Sequence, residues 1–185
     1  MAPSHAPAGC VTGRLQPVHN GHLELFRMVL GAGLRLIVGI TNPDPPSREA
    51  HPDHDSRHLA ENNPFTFHQR LTMVHAALAS AGISPVRYDI VPFPLHNPER
   101  VEHYVPLDVV QYVRVFSPWE AGKADMLRGY GYTVELVDGD GEHRITASSI
   151  REAYRLGRPW RDLVPAPVAD LVDDYIRSGH FASRP

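Results

Sequence analysis

A chain of 185 residues, 42% of them hydrophobic, is long enough to bury one core in a single domain. A formal net charge of −3 offers no basic footprint for nucleic acid, no apolar run approaches the ~18 residues of a membrane span, and one cysteine excludes an intramolecular disulfide framework. Residues 1–8 lack the basic and apolar regions of a signal peptide and are expected to form a disordered tail before a domain over 9–185, in a cytoplasmic protein with neither membrane nor nucleic-acid partner.

The elements alternate. A short apolar run, Gly9-Cys10-Val11-Thr12, predicts the first strand, and the amphipathic stretch Leu23 to Leu30 the first helix. Leu34 to Ile40 is continuously apolar, as in a strand buried on both faces, and stops at Thr41-Asn42-Pro43-Asp44-Pro45-Pro46. Residues 43–63 are polar and aperiodic and are expected to form a mobile loop. Helical spacing of Arg70, Leu71, Val74 and Leu78 continues to Gly82, Val86–Phe93 reads as the third strand, and Asn97–Val105 as a short helix ended by Pro106. Val109–Phe116 is the fourth strand, Glu120–Gly129 a helix, and Tyr132–Val137 the fifth strand. A turn at Asp138-Gly139-Asp140-Gly141, helical signals over Ala147–Leu156, a short turn at Trp160–Val164 and an amphipathic helix over Ala166–Ser178 complete the chain. The alternation predicts a Rossmann-like α/β fold: a parallel sheet of about five strands flanked by helices, with a C-terminal helical segment.

The chemistry concentrates where the first strand becomes the first helix, in Gly13-Arg14-Leu15-Gln16-Pro17-Val18-His19-Asn20-Gly21-His22. His19 and His22 are i, i+3 neighbours, so both imidazoles can meet one ligand; Gly21 lets that ligand approach the backbone, and free amides at the helix start attract anions. With Arg14 upstream, the cluster reads as a phosphate site. His-x-x-His is also half of a zinc site, but the only cysteine, Cys10, lies inside the preceding strand. A second stretch, Ile145-Thr146-Ala147-Ser148-Ser149-Ile150-Arg151, sets hydroxyls before a helix and a cation one turn in; helix capping accounts for it equally well.

The first string resembles the Gly-Arg-Phe-Gln-Pro-x-His-x-Gly-His signature of the HxGH nucleotidyltransferase superfamily, especially nicotinamide mononucleotide adenylyltransferases of the archaeal type, with Leu15 in place of Phe. The second resembles that superfamily's Ile-Ser-x-Thr-x-Ile-Arg, with Ser148 in place of Thr. Asn63-Pro64-Phe65-Thr66 with Gln69-Arg70, and Trp160 with Leu163-Val164-Pro165, are similar to further archaeal-type segments, so the resemblance spans roughly Cys10 to Ile176. It implies transfer of a nucleotidyl group from a nucleoside triphosphate to a phosphorylated small acceptor, with release of pyrophosphate and without a general base. It further implies His19, His22, Arg14 and Arg151 as catalytic residues, with Gly13, Gly21, Thr146, Ser148 and Ile150 completing the nucleotide site. Thr41, Asn42, Arg70, Asn97 and Trp119 are implied for the acceptor, and magnesium for the triphosphate, with no metal held by a dedicated protein cage. A homo-oligomer is left open.

Three departures fall where the acceptor or base would be read. In His96-Asn97-Pro98-Glu99-Arg100 the family's stacking Trp is replaced by Arg100, leaving Trp119 or Tyr104 to take its place; Ser117-Pro118-Trp119-Glu120 stands for Ser-Gly-Asn-Pro; and the polar insert over 47–62 is long. The phosphate elements are intact, so the same reaction with an altered acceptor is expected. ATP with nicotinamide mononucleotide is the default pair. CTP with a phosphonate, as in relatives from natural-product pathways, is the alternative, and a nucleotide-binding regulatory module without turnover the second alternative. His51–His58 reads as a solvated lid loop, Lys123 as part of a solvated helix face, and Asp138 and Asp140 as turn residues.

Overall fold

The computed structural model describes residues 7–45, 58–141 and 144–179. Among them, β1 (Ala8–Gly13), β2 (Arg35–Thr41), β3 (Tyr88–Phe93), β4 (Val110–Val115) and β5 (Val134–Asp138) form one parallel sheet in the order β3-β2-β1-β4-β5. The helices are α1 (Asn20–Gly31), α2 (Phe67–Ser80), α3 (Pro98–Val101), α4 (Pro118–Gly129), α5 (Ala147–Arg155) and α6 (Ala166–Arg177). The expected α/β architecture is the one observed. No helix among the described residues is long and apolar enough to cross a membrane.

Strand alternation sorts the core into two layers. Val11, Leu36, Val38 and Ile40 turn to one face and pack with Phe26 and Val29 of α1, Met73 and Leu78 of α2 and Val168 of α6. Cys10, Ile37, Phe93 and Val113 turn to the other, against Val101 of α3 and Leu127 of α4. This explains the unbroken apolar run of β2: both of its faces are covered. Gly39 sits in its middle because a Cβ there would stand 2.8 Å from Thr12 Cγ2 and 3.0 Å from Phe93 Cδ2. Helix starts follow local chemistry. The Thr66 hydroxyl accepts from the Gln69 amide while the Gln69 side chain accepts from the Thr66 amide, a reciprocal cap that opens α2.

Some expected boundaries move. Pro85–Arg87 forms a 3-10 turn and β3 begins at Tyr88, since Pro85 fixes a turn rather than pairing. β5 begins at Val134; Tyr132 is instead a buried anchor whose hydroxyl donates to Val105 O at 2.6 Å. The helix expected over Asn97–Val105 is only the single turn of α3. Of the tail expected over 1–8, Ala8 already pairs with Arg35 in β1, and residues 1–6 lie outside the described residues. The loop expected over 43–63 falls outside them at 46–57, which takes in most of His51–His58. Its last residues include a 3-10 turn, Ala60–Asn62, whose neighbour Asn63 is fully buried.

Sequence order reverses between β1 and β4, and there the sheet opens. β1 pairs with β2 along its whole length, from Ala8↔Arg35 to Gly13↔Ile40. With β4 it pairs only from Gly9↔Val110 to Val11↔Tyr112. Beyond Val11 the two strands part, leaving a crevice at the carboxyl ends, where open α/β sheets bind ligands.

Candidate active site

The crevice widens into a cavity of about 740 Å³, within the usual size of small-molecule sites. β1 and α1 supply its centre: Gly13, Arg14, His19, Gly21 and His22 all line it. His19 precedes α1 with extended backbone and is 7% exposed. The two imidazoles lie with ring centres 3.7 Å apart and planes tilted by 33°. The His19 amide donates to His22 Nδ1 at 3.2 Å, which leaves the His22 proton on Nε2, near Gly13. His19 Nδ1 is buried without a hydrogen-bond partner and lies 3.3 Å from where a Gly21 Cβ would stand, so Gly21 keeps the ring clear. Burial, then the nearby Arg114 cation, holds the His19 pKa down to about 3. Burial, followed by His19, Lys123 and Arg114, holds His22 well below its usual value. Both rings are therefore neutral near pH 7, each with one N–H to offer.

α5 supplies the second wall. Thr146 caps it by accepting from the Ser149 amide at 3.0 Å, and Thr146, Ala147 and Ser148 line the cavity. Arg151 stands behind Ser148, donating to its hydroxyl at 3.3 Å, to Gln16 O at 2.8 Å and to Asn62 Oδ1 at 2.9 Å. Arg14 donates to Asn62 O at 3.2 Å, so both guanidiniums hang on one residue. Burial, then the charges of Arg14 and Arg155, lowers the Arg151 pKa to about 10. Thr146, Ala147 and Ser148 thus share the cavity with the histidines and Arg14, with Arg151 and Asn62 bonded behind them. The sequence reading missed Asn62, which sits at the end of the polar insert. It also missed Gln16, whose amide donates to Phe65 O at 3.0 Å and accepts from the Phe65 amide at 2.9 Å, fastening that segment to the first motif.

Several expected site residues stand elsewhere. Ile150 is 1% exposed in the apolar core, where it anchors α5. Arg70, also 1% exposed, donates to Arg14 O at 2.9 Å, Thr41 O at 2.7 Å and Asn42 O at 2.8 Å, and does not line the cavity. It cross-links the ends of β1 and β2, where Leu15 and Asn42 hold left-handed φ angles of 52° and 50°. Asn97 caps α3 by accepting from the Arg100 amide, and its neighbour His96 lines the cavity instead. Arg100 is exposed, and Tyr104 packs into the core beneath α3 and α4. Thr41, Asn42 and Trp119 do line the cavity.

The fourth strand brings a group that the sequence reading passed over. Arg114, near the end of β4, donates to Gly21 O at 3.2 Å and pairs with Glu24 at 3.0 Å; a lone cation inside the apolar run Val113-Arg114-Val115 was its signal. Lys123 does not sit on a solvated face. It is 8% exposed, lines the cavity, and donates to Thr12 O at 2.8 Å, beyond the last β1–β4 pair. Its charge thus satisfies a carbonyl at the splayed strand ends while lining the cavity. Cys10, fully buried behind it with its pKa pushed up to about 12 chiefly by burial, is an inert thiol.

Among the described residues no cluster of three His, Cys, Asp or Glu could hold a metal ion. The carboxylates on the cavity wall are Glu24, Glu120 and Asp140, the first two paired with Arg114 and Arg144. Asp140 lines the cavity in addition to sitting in its turn.

The cytidylyltransferase-like family model matches residues 10–153. The chain is 38% identical over 169 residues to a phosphonoformate cytidylyltransferase of Streptomyces viridochromogenes, covering 91% of this chain and 92% of that protein. It is 31% identical over 167 residues to a nicotinamide-nucleotide adenylyltransferase of Thermococcus onnurineus, covering 90% and 82%. Among solved structures it resembles a bifunctional NMN adenylyltransferase/ADP ribose pyrophosphatase of Francisella tularensis with a TM-score of 0.63 at 16% identity. That likeness covers 93% of this chain but half of the longer protein, and shows the fold alone.

Proposed function

The chain belongs to the cytidylyltransferase-like family and is a nucleotidyltransferase; we propose that it moves a nucleoside monophosphate from a nucleoside triphosphate, most favourably CTP, onto a small phosphonate- or phosphate-bearing acceptor. One observation carries this reading: the close-packed His19–His22 pair and the hydroxyl-bearing start of α5 line one cavity at the sheet's switch point.

An anionic oxygen of the acceptor attacks the α-phosphorus; the new O–P bond forms as the bond to the bridging oxygen breaks, and pyrophosphate leaves. The acceptor oxygen is already ionised near pH 7, so no side chain removes a proton, in keeping with two imidazoles held neutral. Positioning and charge stabilisation supply the rate. His22 Nε2–H and the His19 ring donate to the α-phosphate as charge builds on it. Ser148, Thr146 and the α5 amides hold the departing β- and γ-phosphates, with Arg14 and Arg151 as their countercharge. Asp140, on the cavity wall, would help to hold a magnesium ion, which when bound would add charge neutralisation for the triphosphate.

For CTP and a phosphonate speak the Streptomyces relative, similar over nearly its whole length, and the altered acceptor segments around Arg100 and Trp119. The default pair from the sequence, ATP with nicotinamide mononucleotide, remains the second reading, supported by the archaeal relatives. Action in the cytoplasm, where triphosphates are abundant, belongs to the same proposal. Pyrophosphate release measured with four triphosphates against phosphonoformate, other phosphonates and nicotinamide mononucleotide tests it. Release with CTP and a phosphonate is expected; release only with ATP and the mononucleotide would select the second reading.

A further inference from the structure

A buried carboxylate is out of place in a cavity built for anions. Glu120, in the first turn of α4, is 8% exposed and lines the same cavity as Arg14, Arg114, Lys123 and the histidines. It cannot hold a phosphate. One of its oxygens accepts from Arg144 Nη2 at 2.6 Å and the other from the Ser117 hydroxyl. Arg144 in turn lies over the Phe116 ring, its guanidinium carbon 4.8 Å from the ring centre. The Phe116 ring occupies the space a side chain at Gly139 would need, so the stack of Phe116 and Arg144 is held between the ends of β4 and β5.

Each partner lines the cavity and has hydrogen-bonding capacity beyond this pairing. A carboxylate oxygen has a second lone pair, and a guanidinium has five N–H groups, of which this bond takes one. The pair presents an acceptor beside a fork of donors. The edge of cytosine carries the complement: an exocyclic amine that donates, then a ring nitrogen and a carbonyl that both accept. Adenine matches the amine and ring nitrogen but has no third acceptor, and uracil presents a carbonyl where Glu120 needs a donor. Position agrees with this. Glu120 and Arg144 stand on the β4–β5 half with the α5 wall that would hold the triphosphate, whereas Thr41, Asn42 and His96 stand on the β2–β3 half. The base and polyphosphate of one nucleotide belong together on the first half, leaving the second to the acceptor.

We infer that Glu120 and Arg144, set on Phe116 and Ser117, read the hydrogen-bonding edge of the nucleotide base and select cytosine. This rests on the nucleotidyltransferase reading above and adds the residues that choose the triphosphate. The test is calorimetric binding of CTP, ATP and UTP, each with magnesium, to the full chain and to Glu120→Gln, Arg144→Met and the milder Ser117→Ala, with thermal melts to establish folding. Wild type is expected to bind CTP about tenfold or more tighter than UTP, the range of one hydrogen bond to a charged group. Glu120→Gln should collapse the CTP:UTP ratio, and Arg144→Met the CTP:ATP ratio. Ser117→Ala should weaken the first ratio in part, which keeps the test alive if a charge variant fails to fold. Ratios unchanged in folded variants, or a wild type indifferent to the base, would overturn this inference while leaving the reaction standing. Binding of no triphosphate, with no pyrophosphate release, would overturn both.

Discussion

Replacing Arg70 by Met separates a ligand from a staple. The guanidinium holds Arg14 O, Thr41 O and Asn42 O at 2.7–2.9 Å in an almost fully buried position. Methionine keeps an apolar stem there but leaves three carbonyls without that donor. A buried acceptor left unpaired costs about 1–3 kcal/mol. Relaxation around neighbouring sites makes the sum less than additive, so the expected loss is about 3–5 kcal/mol. At about 2–4 °C per kcal/mol for a chain of this size, Tm should fall by roughly 6–20 °C. Urea unfolding should show a lower midpoint at unchanged slope. Because the displaced carbonyls belong to the ends of β1 and β2, turnover should fall for every acceptor alike. A variant that melts within about 2 °C of wild type, with a rise confined to the acceptor KM, would refute this account and return Arg70 to the acceptor site.

Other outcomes are as specific. His22→Ala should lower turnover by about 10²–10³, the range for losing one preorganised donor to developing negative charge; near-normal pyrophosphate release would remove its role. Lys123→Met should raise the KM of the triphosphate or the acceptor by about tenfold, as for a lost charged hydrogen bond, and unchanged KM values for both would show that Lys123 serves only Thr12. His19 has a folded pKa of about 3 against the ordinary imidazole value of 6.5, so below pH 6.5 the unfolded chain takes up the proton first. Stability should therefore drop as pH falls from 6.5 toward 3 and be unaffected by this group above that window, with His19→Gln flattening part of the slope in urea midpoints.

The sheet and its helices were legible because continuous apolar runs and period-3.6 patterns report burial directly, as in the run from Leu36 to Ile40 or the apolar face of α1. The two segments that meet at the cavity were equally legible, because their spacing along the chain is also their geometry. The rest depends on tertiary placement. Lys123 sits in a helix with four charged residues and no marked apolar stripe, and only the parting of β1 from β4 turns it inward. Asn62 acquires meaning because the fold returns the insert to Arg14 and Arg151. Arg70, Asn97 and Ile150 illustrate the reverse. Each sits in a segment that resembles a functional motif, yet here they hold backbone carbonyls, cap a helix and fill the core.

The strand order has one more consequence. On the proposed reading, the groups that would act on the bond come from β1, α1 and α5, those that would read the base from the segments after β4 and β5, and the remaining wall from β2 and the segment after β3. Each task occupies its own stretch of chain, joined to the others through a rigid sheet instead of through shared side chains. A lineage could exchange the loop after β3 for a new acceptor, or remodel the start of α4 for a new base, while inheriting the transfer chemistry intact. Diversity of substrates over one reaction is what such a partition permits.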